Sequence, residues 1–297
     1  MSFPGRTRSA ALRGWTLVAL VALAPSLLGG CSDRARPSAA SDTGPRVVAL
    51  VPSLTELVVA LGESEHLVAR TDFDTDPGTA GLPSVGGGLD PSLEQIVALE
   101  IDLVLMAEGR DSPALRRRLE ALGARVEAFP VQSIEDIHDS IERLGALFDA
   151  VRAADSLSGA IADELDEVRG RVANLPVVDV VYVVWSDPPM TTGGGTFVDE
   201  VIRIAGGRNV FEDAPVEWPT VGFESIVERS PDAVIWPRGE IKPENLDRLK
   251  SVPGWRDVRA VQEGRVVLVD ANLFNRPGPG VAIAARRLAE ALHPGAF

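Results

Sequence analysis

Side chains able to do chemistry are few and scattered in this chain of 297 residues. There is one Cys, Cys31, and there are three His, His66, His138 and His293. A single thiol rules out a disulfide framework and any all-Cys metal centre. Three histidines so far apart offer no metal-ligand spacing. No G-x-x-x-x-G-K-S/T run is present to cradle a nucleoside triphosphate, and no G-x-S-x-G turn to expose a nucleophilic serine. Gly193-Gly194-Gly195 stands before Thr196-Phe197-Val198-Asp199-Glu200, where a helix N-terminus could meet an anion. Lacking the rest of a phosphate-binding fingerprint, it reads as a plain turn. Tyr182, the only Tyr, lies inside an apolar run and reads as core. The residues therefore predict no catalytic group, no metal centre and no cofactor. Charge narrows the partners further. With 43 Asp+Glu against 29 Lys+Arg the net charge is −14, so there is no basic face for phosphates and nucleic acid is not expected.

The one thiol has a position that explains it. Arg6, Arg8 and Arg13 precede a nearly unbroken apolar stretch from Trp15 to Leu28. That stretch is short for a membrane span of about 20 residues but fits the apolar region of a signal peptide. Leu28-Gly29-Gly30-Cys31 follows and resembles the lipobox of bacterial lipoproteins, whose cleavage leaves the Cys N-terminal and lipid-modified on its thiol. Residues 1–31 are read as signal peptide and lipobox, with Cys31 the lipidation site. Residues 32–45, rich in Ser, Ala and Pro, read as a flexible tether. Setting aside the five Arg and two Asp before Arg46 leaves the remaining body at −17. The expectation is an exported, periplasm-facing body in the cell envelope, held to a membrane through its lipid anchor only.

The body reads as alternating strands and helices. Arg46 to Val51 is a short apolar run of the kind that forms a buried parallel strand. Ser53-Leu54-Thr55-Glu56 has the form of a capping box opening a helix, and Gly62 ends it. Two longer segments then match. Leu93-Glu94-Gln95-Ile96-Val97 leads to Asp102-Leu103-Val104-Leu105, and Phe223-Glu224-Ser225-Ile226-Val227 leads to Asp232-Ala233-Val234-Ile235. A second pair, Glu56 to Gly62 and Glu200 to Gly206, recurs in the same order, so the pattern predicts two similar lobes. Between them, Asp149 to Asn174 has apolar residues near helical spacing and no Pro. The predicted fold is α/β: two Rossmann-like lobes, 46–148 and 175–297, joined by one long helix, 149–174. Val177 to Val184 and Val266 to Val269 are further strands, and Val281 to Leu292 a closing helix.

From Arg46 to Leu292 the chain resembles the helical-backbone substrate-binding proteins of bacterial ABC importers, and within them most the cobalamin-binding members. The resemblance rests on Val47 to Glu56, Leu93 to Leu99, Asp187-Pro188-Pro189, Gly206-Gly207-x-Asn209-Val210-Phe211 and Trp218-Pro219. It implies capture of cobalamin, a related corrinoid or another metal chelate, and delivery to a permease dimer with its ATPase. It also gives the repeated glutamates a role: Glu94 and Glu224 would dock on the two permease subunits, a matched pair for a two-fold partner. The alternatives are a ferric siderophore or other metal chelate as ligand in the same fold, and a lipoprotein sensor or scaffold outside transport.

The resemblance implies a ligand cleft between the lobes, built by loops at the strand ends, here 71–76, 86–90, 185–192, 217–220 and 273–276. The resemblance assigns ligand contact to Phe73, Trp185, Trp218, Phe274, Asn275 and Arg276. Flat aromatic faces suit a corrin ring, and Arg276 would reach its polar groups. Three positions depart from the cobalamin-binding pattern. Gly88 and Leu273 stand where large aromatics are expected, and Asn275 replaces an acid. Asp72, Asp74, Asp76, Asp90 and Asp187 give the rim an acidic character that repels anionic ligands.

Overall fold

The computed structural model describes residues 44–109, 112–238 and 246–297. The signal peptide, Cys31 and all of the tether but Gly44 and Pro45 lie outside them. The first lobe runs β1 (Val47–Ala49), α1 (Pro52–Ala60), a small hairpin of β2 (Gly86–Gly87) and β3 (Asp90–Pro91), α2 (Leu93–Ala98), β4 (Leu103–Ala107), α3 (Pro113–Ala121), β5 (Arg125–Phe129) and α4 (Ile134–Leu147). Then comes α5 (Val151–Val172). The second lobe runs β6 (Val178–Tyr182), a hairpin of β7 (Trp185–Ser186) and β8 (Pro189–Met190), α6 (Phe197–Ile204), β9 (Gly207–Asn209), α7 (Phe223–Arg229), β10 (Ala233–Pro237), α8 (Leu246–Leu249), α9 (Arg259–Gln262), β11 (Val266–Val269), α10 (Ala271–Phe274) and α11 (Val281–Leu292).

Each lobe carries a parallel sheet, in the order β1-β4-β5 and β11-β10-β6-β9. Their topologies correspond: β1, β4 and β5 stand to one another as β6, β10 and β11 do. The place of β9 is taken in the first lobe by a single parallel bridge, Val47 to Leu67. The repeat reaches the backbone angles. Glu100 and Ser230 both have left-handed φ, 48° and 46°, each seven residues after the start of its helix. A non-glycine residue seldom adopts that conformation, so the shared strain marks a shared construction. Gly62 and Gly206 end α1 and α6 with φ of 86° and 80°, where glycine carries no steric penalty.

Strand periodicity divides the core. Val47 and Ala49 face the central cluster while Val48 faces an outer one, and Val180 and Tyr182 alternate with Val181 in the same way. The central cluster includes Leu54 and Ile141 of the first lobe, Val201 and Leu288 of the second, and Leu165 of α5. The lobes therefore share one core, and the described residues form one compact unit. At 1.5 Å per residue, the 22 residues of α5 span about 33 Å. The helix packs on α4, α6 and α11, and Arg286 of α11 pairs with its Glu164 at 3.0 Å and Glu167 at 2.8 Å.

One local expectation fails. Ser53 does not cap α1: the helix begins a residue earlier, at Pro52, after Val51, and no side chain caps it. Proline suits the first helical position because its missing N–H needs no cap. Glu56 is thereby released from the helix terminus. A full capping box does form at α4, between Ser133 and Asp136.

Candidate functional site

A cavity of about 350 Å³ lies between the lobes. The first lobe supplies Val51 after β1, Ala107 at the end of β4, and Val131 and Gln132 after β5. From the second come Val184 after β6, Met190, Phe197, Trp218, and Asn275 to Pro277 after β11 and α10. Every strand end involved is a carboxyl end, the side on which open α/β sheets bind ligands. The volume sits at the low end of the range of about 300–1,000 Å³ usual for ligand sites. A larger concavity, about 870 Å³, borders Phe223, Glu224, Val252 and Trp255, but only the second lobe lines it.

Of the six residues expected to touch ligand, the structure brings Trp218, Asn275 and Arg276 together on the cavity wall. Trp218 is half-buried and held by backbone pairing on both sides: Thr191 N–H donates to Pro219 O at 3.0 Å, and Gly193 N–H to Glu217 O at 2.7 Å. Buried Asn209 steadies the partner loop, its Nδ2 donating to Thr192 O at 3.0 Å and Gly193 O at 3.2 Å. A Cβ on Gly193 or Gly194 would come within 2.4 Å of a backbone oxygen. The triple glycine is thus a tightly packed turn. Asn275 Oδ1 accepts a 2.6 Å bond from the buried Tyr182 hydroxyl. Burial pushes the Tyr182 phenol up, which keeps it a neutral donor.

The other three fall elsewhere. Phe73 and Trp185 are 62% and 56% exposed and do not line the cavity, and Trp185 Nε1 donates to Asp187 O at 3.0 Å. Phe274 does not face the cleft: it is 2% exposed and its ring lies 6.4 Å from that of Tyr182. It is the last residue of α10, turned inward onto the sheet. Gly88, where an aromatic was expected, has no room for one, since a Cβ there would sit 1.8 Å from Leu50 O. Met190, within an expected cleft loop, is on the wall, and Leu89, within another, is 75% exposed at the tip of the β2–β3 hairpin; Gln132 on the wall lies outside every expected loop.

Most consequential among the missed residues is Glu56. Arg276 Nη1 donates to its Oε1 at 2.8 Å, while Nη1 also reaches Thr75 Oγ1 at 3.2 Å and Nη2 reaches Phe73 O at 2.8 Å. The guanidinium expected to meet ligand instead ties the second lobe to the first. Burial raises the pKa of Glu56; the hydrogen bond and charge of Arg276 oppose this, and the charges of Asp74 and Asp76 add to it. Its counterpart in the repeat, Glu200, also crosses between lobes, accepting a 2.7 Å bond from Ile134 N–H at the start of α4. The rim acids brace their own loop: Asp74 accepts from Thr71 N–H at 2.6 Å, Asp72 from Ser84 Oγ at 2.6 Å, and Asp76 from Gly78 N–H at 2.7 Å.

Glu94 and Glu224 stand exposed on the first turns of α2 and α7. Their helices present the same faces. Ile96 and Ile226 are buried, at 2% and 0%, whereas Val97 and Val227 are 52% and 40% exposed. Among the described residues, Glu63, Glu65 and His66 are close enough to share a metal ion, and none of them lines the cavity. No helix among the described residues is long and apolar enough to cross a membrane.

Known proteins are similar to this chain in sequence and in fold. The chain is 29% identical over 259 residues to the uncharacterized ABC transporter substrate-binding lipoprotein YvrC of Bacillus subtilis, covering 85% of this chain and 81% of that protein. It is 26% identical over 247 residues to a vitamin B12-binding protein of Vibrio vulnificus, covering 82% and 89%. A solved periplasmic heme-binding protein from Pseudomonas aeruginosa superposes with a TM-score of 0.78 at 25% identity, over 85% of this chain and 94% of that one. The sequence pattern of one family of binding proteins, not enzymes, matches residues 47–273, from β1 into α10. The two-lobed chain with its interlobe cavity belongs to the periplasmic binding protein family.

Proposed function

We propose that this chain is the ligand-capturing subunit of an ABC importer, and that its cargo is cobalamin or a related corrinoid. The observation carrying the reading is the interlobe cavity, lined from both lobes at the carboxyl strand ends and holding Trp218 against an otherwise mostly apolar wall. A mostly preformed apolar cleft with few polar anchors suits a large flat ligand. Phe73, Leu89, Trp185 and Val216, exposed on the flanking loops, would extend the apolar contact beyond the cavity. The B12-binding relatives support this cargo. Cys31 would carry the lipid anchor, as the lipoprotein relative suggests. Glu94 and Glu224 would dock on the permease dimer, with its ATPase behind it.

The second reading keeps the fold and exchanges the ligand for a ferric siderophore or other metal chelate. The likeness in fold to a solved heme-binding protein is the observation that favours it. Uptake separates the two: deleting the gene should abolish accumulation of labelled cyanocobalamin, and the wild-type chain should restore it. Loss of ferric-chelate uptake alone would favour the second reading. Unchanged uptake of both would contradict an importer role.

A further inference from the structure

Among the described residues lining the interlobe cavity, Arg276 is the only one with a charged side chain. An arginine in an apolar wall would ordinarily anchor a carboxylate, since its fork of donors matches that geometry. Here the fork is occupied. Glu56 takes the charge, and Thr75 Oγ1 and Phe73 O take further N–H groups. The pair is largely withdrawn from water, with side chains 15% and 25% exposed for Arg276 and Glu56. Other charges near it are negative on balance: the adjoining loop brings Asp72, Asp74 and Asp76 against the single cation Arg70, whose Nη1 donates to Thr71 O at 2.8 Å.

We propose that Glu56 is the charge filter of the cleft: by occupying Arg276 it makes the site select ligands without net negative charge and reject carboxylate-bearing chelates of similar size. This rests on the cleft being the ligand site and adds to it the residue that sets the ligand's charge class. An incoming carboxylate would have to displace Glu56 and leave it buried beside two aspartates, a cost that a neutral ligand never meets. The cost of an unpaired like charge is the repulsive element that gives a site its specificity.

Two flat macrocycles of opposite charge character serve as probes. Cyanocobalamin is neutral overall, and haemin carries two carboxylates. Titration of the purified wild-type protein with both tests the ligand reading itself. The filter is tested separately by the ratio of haemin affinities between Glu56→Gln and wild type, with Glu56→Ser as a second replacement should the first fold poorly. The expected result is a gain of about tenfold or more for haemin, the equivalent of ~1.4 kcal/mol. Any gain for cyanocobalamin should be smaller than that for haemin, and adding Arg276→Met should erase the haemin gain. Should the folded variants show no gain for haemin, or equal losses for both probes, the filter is overturned, whatever the wild type binds. A wild type that binds neither probe, combined with a haemin gain in the variants, would overturn the corrinoid reading and leave the filter standing.

Discussion

At the scale of single residues, the cleft rests on Trp218, with Phe197 also on the wall, and on one ion pair. Trp218 is half-buried and fixed by its neighbours' backbone bonds. Replacing it by Ala should weaken ligand binding about tenfold, ~1.4 kcal/mol, measured by titration; unchanged affinity would make it a packing residue alone. Glu56 gives a pH signature. Its pKa is raised chiefly by burial, with Asp74 and Asp76 adding to the rise and Arg276 opposing it. Between the unfolded and the raised folded value, the native state holds the extra proton, so this group costs stability as pH rises through that window. Denaturant titrations should show wild type gaining on Glu56→Gln as pH falls through the range just above the ordinary glutamate value. A wild type that loses ground there would mean that the Arg276 pair outweighs burial.

At the scale of elements, the repeat explains what the sequence could reveal. Helices α2 and α7 and strands β4 and β10 were legible because a Glu-x-Ile-Val pattern and a buried apolar run are local signals. The long helix was legible for the same reason: expected over 149–174, it forms over Val151–Val172. Tertiary contacts were not legible. Ser53 and Glu56 have the spacing of a capping box, but Pro52 starts the helix and Glu56 crosses to an arginine 220 residues away. Phe274 looked like its loop neighbours Asn275 and Arg276, and only the inward turn of α10 buries it. Helix α5 also supplies a prediction. Gly159 and Gly170 sit on its exposed face, and a Cβ added at either would meet nothing within 4 Å. Each Gly→Ala change should therefore raise stability by ~0.5–1 kcal/mol, read as a higher denaturation midpoint. A loss at either position would show that the strut needs its glycine for something other than helix formation.

At the scale of the whole molecule, exposed apolar side chains mark two working surfaces. Single exposed apolar residues are ordinary on a protein surface, so their grouping is what carries meaning. Among the twelve large ones exposed in the described residues, Phe73, Leu89, Trp185 and Val216 lie on the loops flanking the cleft. Val97, Leu122, Val227 and Val252 lie beside Glu94 and Glu224. On the proposed reading the first group is a capture face and the second a delivery face, with one matched residue pair per lobe on the latter. Replacing Glu94 and Glu224 together by Ala should abolish uptake while leaving ligand affinity intact; weakened binding would remove the docking role. The central claim is that this cleft takes a corrinoid, and calorimetric titration of the protein with cyanocobalamin tests it most directly. The expected result is one site with a dissociation constant at or below the micromolar range. Absence of any heat of binding at concentrations well above that would contradict it.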